Sequence, residues 1–157
     1  MPVNANSALL LTTVGIELML GADIVLAADD CRFSQLEVQR CIMATGGATL
    51  RMPERAGVGN ALLHLLTADE FDSAEALRCN FVQKVVPAPA LMEQALALAR
   101  RIAAQAPAAV VATRLNVLKA IELGQAAAVG GDPVVPPAAC SSTPRSRLAK
   151  LGGWRGG

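Results

Sequence analysis

The apolar positions of this chain come in short blocks, each closed by a glycine, a proline or charged residues. Residues 1–12 carry no charge and read as a strand running into a first turn. Residues 15–21 fit a short helix that carries Glu17, with Leu18, Met19 and Leu20 expected to face the core. Residues 24–28 are apolar and lie between Asp23 and the pair Asp29-Asp30, the pattern of a short buried strand. A polar loop then delivers Phe33-Ser34-Gln35-Leu36-Glu37. Residues 40–47 read as a loop and 47–56 as a helix that Gly57 and Gly59 break. Asn60 is placed to cap a next helix over 61–66. Asp72 and Glu75 form a capping pair that opens a short helix over 74–78. Val82, Val85 and Val86 favour a strand within 81–86, which Pro87 and Pro89 end.

Two longer helices follow. Leu91, Ala95, Leu98 and Ile102 recur at helical spacing, opposite Glu93, Gln94, Arg100 and Arg101. After Pro107, Val111, Leu115 and Leu118 continue a second stripe, and Gly124 is a plausible end signal. From Gly130 onward neither period survives. Glycine, proline and four basic residues dominate residues 130–157, which predicts a disordered tail.

Composition narrows the function classes. With 53% hydrophobic and 17% charged residues, the chain can bury a core. Aromatic residues are 3% of the total and tyrosine is missing, so base-stacking platforms for single-stranded nucleic acid are not expected. A net charge of +1, without a basic stripe before the tail, implies neither nucleic acid nor a membrane surface as partner. The polar residues within 1–16 make that run too short and too wet to span a bilayer, which needs about 20 apolar residues. Cys31, Cys41, Cys79 and Cys140 have no metal-type spacing and read as reduced thiols of a cytoplasmic protein. His64, the single histidine, lies among leucines and reads as a packing or surface residue rather than a catalytic one, and one histidine excludes a multi-histidine metal site.

The candidate chemistry lies in Glu17 and Glu37. Taken alone, Glu17 reads as a solvated charge on a short helix, and Glu37 as a loop-edge charge paired with Arg32 or Arg40. Two carboxylates in apolar company can instead divide acid and base roles. Val14 and Gly15 lie at the start of the Glu17 helix, where backbone N–H groups can point at a ligand oxygen. Valine at 14 restricts φ, because a β-branched residue takes a left-handed conformation only at a cost. Gly46-Gly47 reads either as a turn before a helix or as part of a binding loop.

At these residues the chain resembles the crotonase superfamily, that of the enoyl-CoA hydratases and isomerases. The family pattern runs Gly-Gly-Gly-x-Glu, then Cys/Ala-Asp-Ile, then Ala-x-Phe-x-x-Pro-Glu, then Pro-x-x-Gly-Gly-x-x-Arg-Leu. Here stand Val14-Gly15-Ile16-Glu17, Ala22-Asp23-Ile24, Cys31-Arg32-Phe33-Ser34-Gln35-Leu36-Glu37 and Gly46-Gly47-Ala48-Thr49-Leu50-Arg51, in the same order. The resemblance covers about positions 1–129. It implies an α/β fold, a spiral of ββα units followed by C-terminal helices. Residues 1–90 would be the C-terminal part of the spiral core, 91–129 a helical segment that covers the site and builds a trimer or hexamer, and 130–157 the tail. Family members begin well before the position of Met1, which implies that an N-terminal portion with much of the coenzyme A surface is absent.

The resemblance also implies roles. Glu17 and Glu37 are the catalytic pair: Glu17 activates water and Glu37 protonates the carbon next to the thioester. Val14, Gly15, Gly46 and Gly47 serve the oxyanion hole and the substrate. The substrate is an acyl-CoA thioester and the reaction adds water across its 2,3 double bond. No metal and no separate cofactor is implied, coenzyme A being part of the substrate. Alternatives are enoyl-CoA isomerisation, another crotonase chemistry, or a truncated family member without activity. Cys41 and Cys79 stand where the family often has glycine, and both are expected to be small core residues.

Overall fold

The computed structural model describes residues 10–123. The expected strand residues 1–9, the helix end at Gly124, the tail 130–157 and Cys140 lie outside the described residues. Helix and strand are mixed throughout. In order the elements are β1 (Leu10–Thr12), α1 (Val14–Leu20), β2 (Leu26–Ala28), β3 (Arg32–Ser34), a 3-10 turn (Glu37–Arg40), α2 (Ala48–Ala56), α3 (Val58–Thr67), β4 (Phe71–Asp72), α4 (Ser73–Arg78), β5 (Lys84–Val86), a second 3-10 turn (Ala88–Ala90), α5 (Leu91–Ala103) and α6 (Pro107–Leu123). The chain divides into two compact units, residues 1–95 and 96–157.

In the first unit β1 pairs in parallel with β3, placing Leu11 beside Phe33, and β3 pairs antiparallel with β4, placing Phe33 beside Phe71. β2 and β5 form a separate parallel pair, with Ala27 beside Val85. Parallel neighbours cannot be joined by a hairpin, so helices carry the chain between them. The core is aromatic at its centre: the rings of Phe33 and Phe71 stack at 5.4 Å. Around them pack Ile16, Leu20, Met52, Phe81 and Val82. Ala48, Ala61 and Ala76 are fully buried, and their small side chains let helices approach closely.

Local chemistry explains several boundaries. Asp72 accepts the N–H of Glu75 at 2.9 Å, so the expected capping pair does open α4, one residue earlier than expected. α3 starts at Val58, directly after Gly57, so Gly59 lies inside it and breaks nothing. Asn60 therefore does not cap: its Nδ2 donates back to the Ala56 carbonyl at 2.9 Å. The strand expected over 81–86 shrinks to Lys84–Val86. The Phe81 and Val82 amides both turn back to the Ala76 carbonyl, closing α4 instead of joining a ladder. The strand expected over 24–28 likewise keeps only Leu26–Ala28, because the Val25 amide is taken by the Gln83 side chain at 2.8 Å.

The buried face of α1 differs from the expected one. Leu18 is 74% exposed, while Ile16, Glu17 and Leu20 are buried. Three consecutive residues cannot share one face of a helix, whereas positions four apart can.

In the second unit α6 has no buried residue, and Val111 and Leu115 of the expected stripe are exposed. Leu98, Ile102, Ala109 and Val110 line a cleft there instead. Among the described residues no single helix is long and apolar enough to cross a membrane.

Candidate active site

Glu17 reaches the interior because α1 turns its 16/17/20 face inward. The helix end is held by Arg55 of α2, which donates to the Leu20 carbonyl at 3.0 Å and the Ala22 carbonyl at 2.6 Å. The same guanidinium reaches the Phe81 carbonyl at 3.1 Å. Burial lowers its pKa, and neighbouring Arg51 lowers it further. The start of α1 is strained at Thr13, with φ 48°, rather than at Val14. Val14 is helical and exposed. The Glu17 N–H donates to the Thr13 carbonyl at 3.1 Å, so the Val14, Gly15 and Ile16 amides precede the helical ladder.

The Glu17 side chain is 8% exposed and has a partner: the Ala48 N–H at the start of α2 donates to Oε1 at 3.3 Å. That position suits an anion, because a helix N-terminus presents free N–H groups and the positive end of the dipole. Gly46 presses on the same carboxylate. A Cβ at 46 would overlap Glu17 Oε2, so any other residue would displace the acid. Gly47 takes φ 113° just before α2, a conformation side-chain-bearing residues rarely adopt.

Glu37 is equally buried, at 8% exposure, but differently supplied. It opens the 3-10 turn, and its Oε1 accepts the Nε2 of Gln35 at 3.0 Å. Glu37 Oε2 and Gln35 Oε1 have no hydrogen-bond partner among the described residues. Gln35 is 1% exposed. The Gln35 amide thus turns Nε2 toward Glu37 and its Oε1 away from it. Among the described residues neither acid is ion-paired with an arginine: Arg32 lies 3.8 Å from Glu70 and 3.7 Å from Asp72 instead.

Gln35 and Glu37 border a cavity of about 470 Å³ whose remaining wall is mostly apolar, with Val38, Ile42, Met43, Leu62, Leu65 and Leu66. Ala44 and Thr49 complete it, with Cys41. Segment 44–49 thus has two sides. Ala44 and Thr49 face the cavity with Glu37, while Gly46 and Ala48 hold Glu17. Glu17 itself does not line this cavity. The expected core position of Cys41 is also corrected: the residue is exposed and adopts φ 57°, which moves its side chain off the core. Gln35 is the residue the motif reading passed over. Its spacing from Glu37 gave no signal, because the chain leaves the extended conformation at Leu36, with φ −90° and ψ 0°, and enters a 3-10 turn.

A second polar cluster lies on α3 and α4. His64 is buried against the Phe71 ring at 4.2 Å, in the packing role its neighbours predicted. Its Nε2 lies 3.2 Å from Glu75 Oε1, and Cys79 Sγ donates to the same oxygen at 3.5 Å. Arg78 clamps Glu75 with two bonds of 2.6 Å. This guanidinium, helped by Cys79 and His64, holds the Glu75 pKa down to about 2. The His64, Glu75 and Cys79 ligand atoms lie within 4.8 Å of one another. Arg78 also donates to Cys79 Sγ at 3.4 Å, so a resident cation already occupies the approach to two of the three.

Residues 11–133 match the enoyl-CoA hydratase/isomerase family. The chain belongs to that family. Its fold is similar to a probable enoyl-CoA hydratase/isomerase from Mycobacterium abscessus, with a TM-score of 0.78 and 43% identity, over 92% of this chain and 55% of that one. It is 38% identical over 96 residues to a short-chain-enoyl-CoA hydratase of Clostridium acetobutylicum, covering 61% of this chain and 37% of the relative. A carnitinyl-CoA dehydratase of Proteus mirabilis is 37% identical over 100 residues, 64% of this chain and 38% of that protein. This family member therefore spans little more than a third of the length of those two curated relatives. Its mixed helix–sheet architecture is that of the crotonase fold.

Proposed function

We propose that this chain carries the reacting centre of an enzyme that adds water across the 2,3 double bond of an enoyl-CoA thioester. The observation that supports it best is Glu37 Oε2, a buried carboxylate oxygen without a partner beside an apolar cavity. Burying a polar group without a hydrogen bond is costly, and such a group is well suited to a proton or a ligand that arrives later. The apolar wall suits an acyl chain. Glu37 protonates the carbon next to the thioester. Glu17, oriented by the Ala48 amide, activates the water. The Val14 and Gly15 amides help hold the thioester oxygen, where one such donor contributes roughly 10²–10³ in rate. Gly46 and Gly47 shape the wall between substrate and acid. Coenzyme A enters as part of the substrate, and the chemistry needs no metal and no further cofactor.

One observation favours a second reading. Only Glu37 of the two acids lines the cavity, and a single carboxylate is enough for a proton shuttle that isomerises a 3-enoyl thioester. Supplying crotonyl-CoA and a 3-enoyl-CoA separately discriminates the two. Under the first reading crotonyl-CoA gains water, and Glu37→Gln slows this by about 10²–10⁴ while thermal stability holds. Full hydration by Glu37→Gln would remove Glu37 from the chemistry.

The free thiols of Cys31, Cys41 and Cys79 suit a reducing compartment such as the cytoplasm. The exposed Val111, Val117 and Ile121 of α6 suit a surface covered by further copies of the chain, as a trimer or hexamer. Light scattering of the purified protein checks that assembly.

A further inference from the structure

The polar cluster on α3 and α4 has the dimensions of a cation site. Glu75 and Cys79 stand four positions apart, one turn of helix, so both side chains reach the same neighbour, His64 of α3. His64 Nε2 lies 3.2 Å from Glu75 Oε1 and 3.8 Å from Cys79 Sγ, and Sγ lies 3.5 Å from that oxygen. Three ligand atoms of a tetrahedral zinc ion, with bonds of about 2.0–2.3 Å, stand about 3.3–3.6 Å from one another. The triangle therefore fits such an ion with shifts of a few tenths of an ångström. Packing holds two of its corners: His64 and Cys79 are buried, and the His64 ring lies against Phe71 and Phe81. A second observation points the same way, because the cluster is already organised around a cation. Arg78 Nη2 donates to Glu75 Oε1 at 2.6 Å, to Cys79 Sγ at 3.4 Å and to Asn60 Oδ1 at 3.1 Å. That guanidinium sits on the solvent side, with 54% of its side chain exposed, so it can turn out into water without disturbing the core.

We propose that His64, Glu75 and Cys79 form a binding site for a divalent cation of the zinc class, which enters as the Arg78 guanidinium swings out. One nitrogen, one oxygen and one sulfur donor suit a borderline-soft ion, whereas magnesium and calcium take oxygen ligands. Cys79 binds as the thiolate and releases its proton to solvent. His64 binds through Nε2 and keeps its ring proton on Nδ1. Glu75 is already ionised, since Arg78 and its other partners hold its pKa down to about 2. One proton thus leaves for each ion bound, and nothing is oxidised or reduced. Water takes the fourth position. The ion has no part in the chemistry of Glu17 and Glu37. Its effect is mechanical: His64 shares α3 with Leu62, Leu65 and Leu66 of the cavity wall, so the ion ties that wall to α4.

The test uses the full chain under reducing conditions, with Co²⁺ as the spectroscopic probe and Zn²⁺ as its competitor. A thiolate bound to Co²⁺ gives a strong near-ultraviolet charge-transfer band, and four-coordinate Co²⁺ absorbs strongly in the visible. Both bands should grow to saturation at one ion per chain and bleach when Zn²⁺ is added, and Zn²⁺ should raise Tm. Cys79→Ser should lose the charge-transfer band. The double variant Cys41→Ser/Cys140→Ser, which leaves the cluster intact, should keep it. Arg78→Ala removes the competing guanidinium at an exposed position and should bind Co²⁺ about tenfold more tightly or better, because the parent offers its ligands only while Arg78 is turned out. No charge-transfer band in the parent overturns the proposal, even if Arg78→Ala shows one, since the guanidinium would then seal the cluster. A band abolished in Cys41→Ser/Cys140→Ser marks an adventitious ion only and overturns it as well. If circular dichroism shows that Cys79→Ser does not fold, the Arg78→Ala comparison decides: equal affinity in parent and variant would place the ion elsewhere.

Discussion

Two polar clusters of the first unit each centre on a glutamate and are left in opposite states. Around Glu75, each described polar neighbour is spent: Arg78 takes both oxygens, and His64 and Cys79 share one of them. Around Glu37 a carboxylate and an amide meet through a single hydrogen bond, and each keeps an oxygen with no partner. The first cluster is closed, and it joins α3 to α4. The second opens on a cavity. The Glu75 side chain is 27% exposed while Glu37 is buried at 8%, so the acid with every oxygen partnered is the one nearer solvent. A buried group with all its partners stabilises the fold, whereas an unpartnered acceptor lowers stability and is retained where something else binds. Glu17 stands between the two states, with one amide donor and a glycine pressed against it.

The largest stability effect expected from breaking this contrast comes at Gly46. Gly46→Ala puts a methyl group where the Glu17 carboxylate lies, so the carboxylate must turn away from the Ala48 N–H that holds it. Overpacking of this kind costs about 1–3 kcal/mol. Urea unfolding should show a lower midpoint with an unchanged slope, and hydration of crotonyl-CoA should fall with it. An unchanged midpoint would mean that Glu17 has room to move and that the glycine is not fitted to it.

The closed cluster answers to acid instead. The folded pKa of Glu75 is depressed to about 2 from an ordinary value of 4.5. A depressed carboxylate stabilises the folded state above its unfolded pKa, and that contribution is lost as pH falls from about 4.5 toward 2. Glu75→Gln removes it, so the variant should be less stable than the parent at neutral pH, and the gap should narrow through that window. Melting curves at a series of pH values read this directly. A gap independent of pH would assign Glu75 a packing role only.

The two clusters were not equally legible in the sequence. The family motifs between residues 14 and 51 carried the fold class, and Asp72 with Glu75 announced α4 because capping is local chemistry. The carboxylates were legible as a motif and illegible as buried groups, since an isolated glutamate on a seven-residue helix or beside a loop reads as exposed. What buries them is distant in the chain: Ala48 lies 31 positions beyond Glu17. Gln35 was missed for a related reason. Its importance lies in what Glu37 does with it, and two unpartnered oxygens are a property of packing. Cys41 was misread as core because a left-handed backbone at a non-glycine residue, here φ 57°, cannot be read from the sequence.

The smallest effect expected is the control for the first. Gly59 also falls in a helix start, and it too looked like a break from sequence, yet nothing lies within 4 Å of a Cβ built there. Its backbone is ordinary helix, so Gly59→Ala removes flexibility from the unfolded chain without a clash. The gain should be about 0.5–1 kcal/mol, seen as a rise of a few degrees in Tm. Gly46→Ala and Gly59→Ala are the same chemical change 13 positions apart, and opposite signs are expected because only one of the two glycines faces an acid. If both variants lost stability alike, the crowding at Glu17 would not be what distinguishes them, and the contrast between a fitted acid and an open helix surface would have to be abandoned.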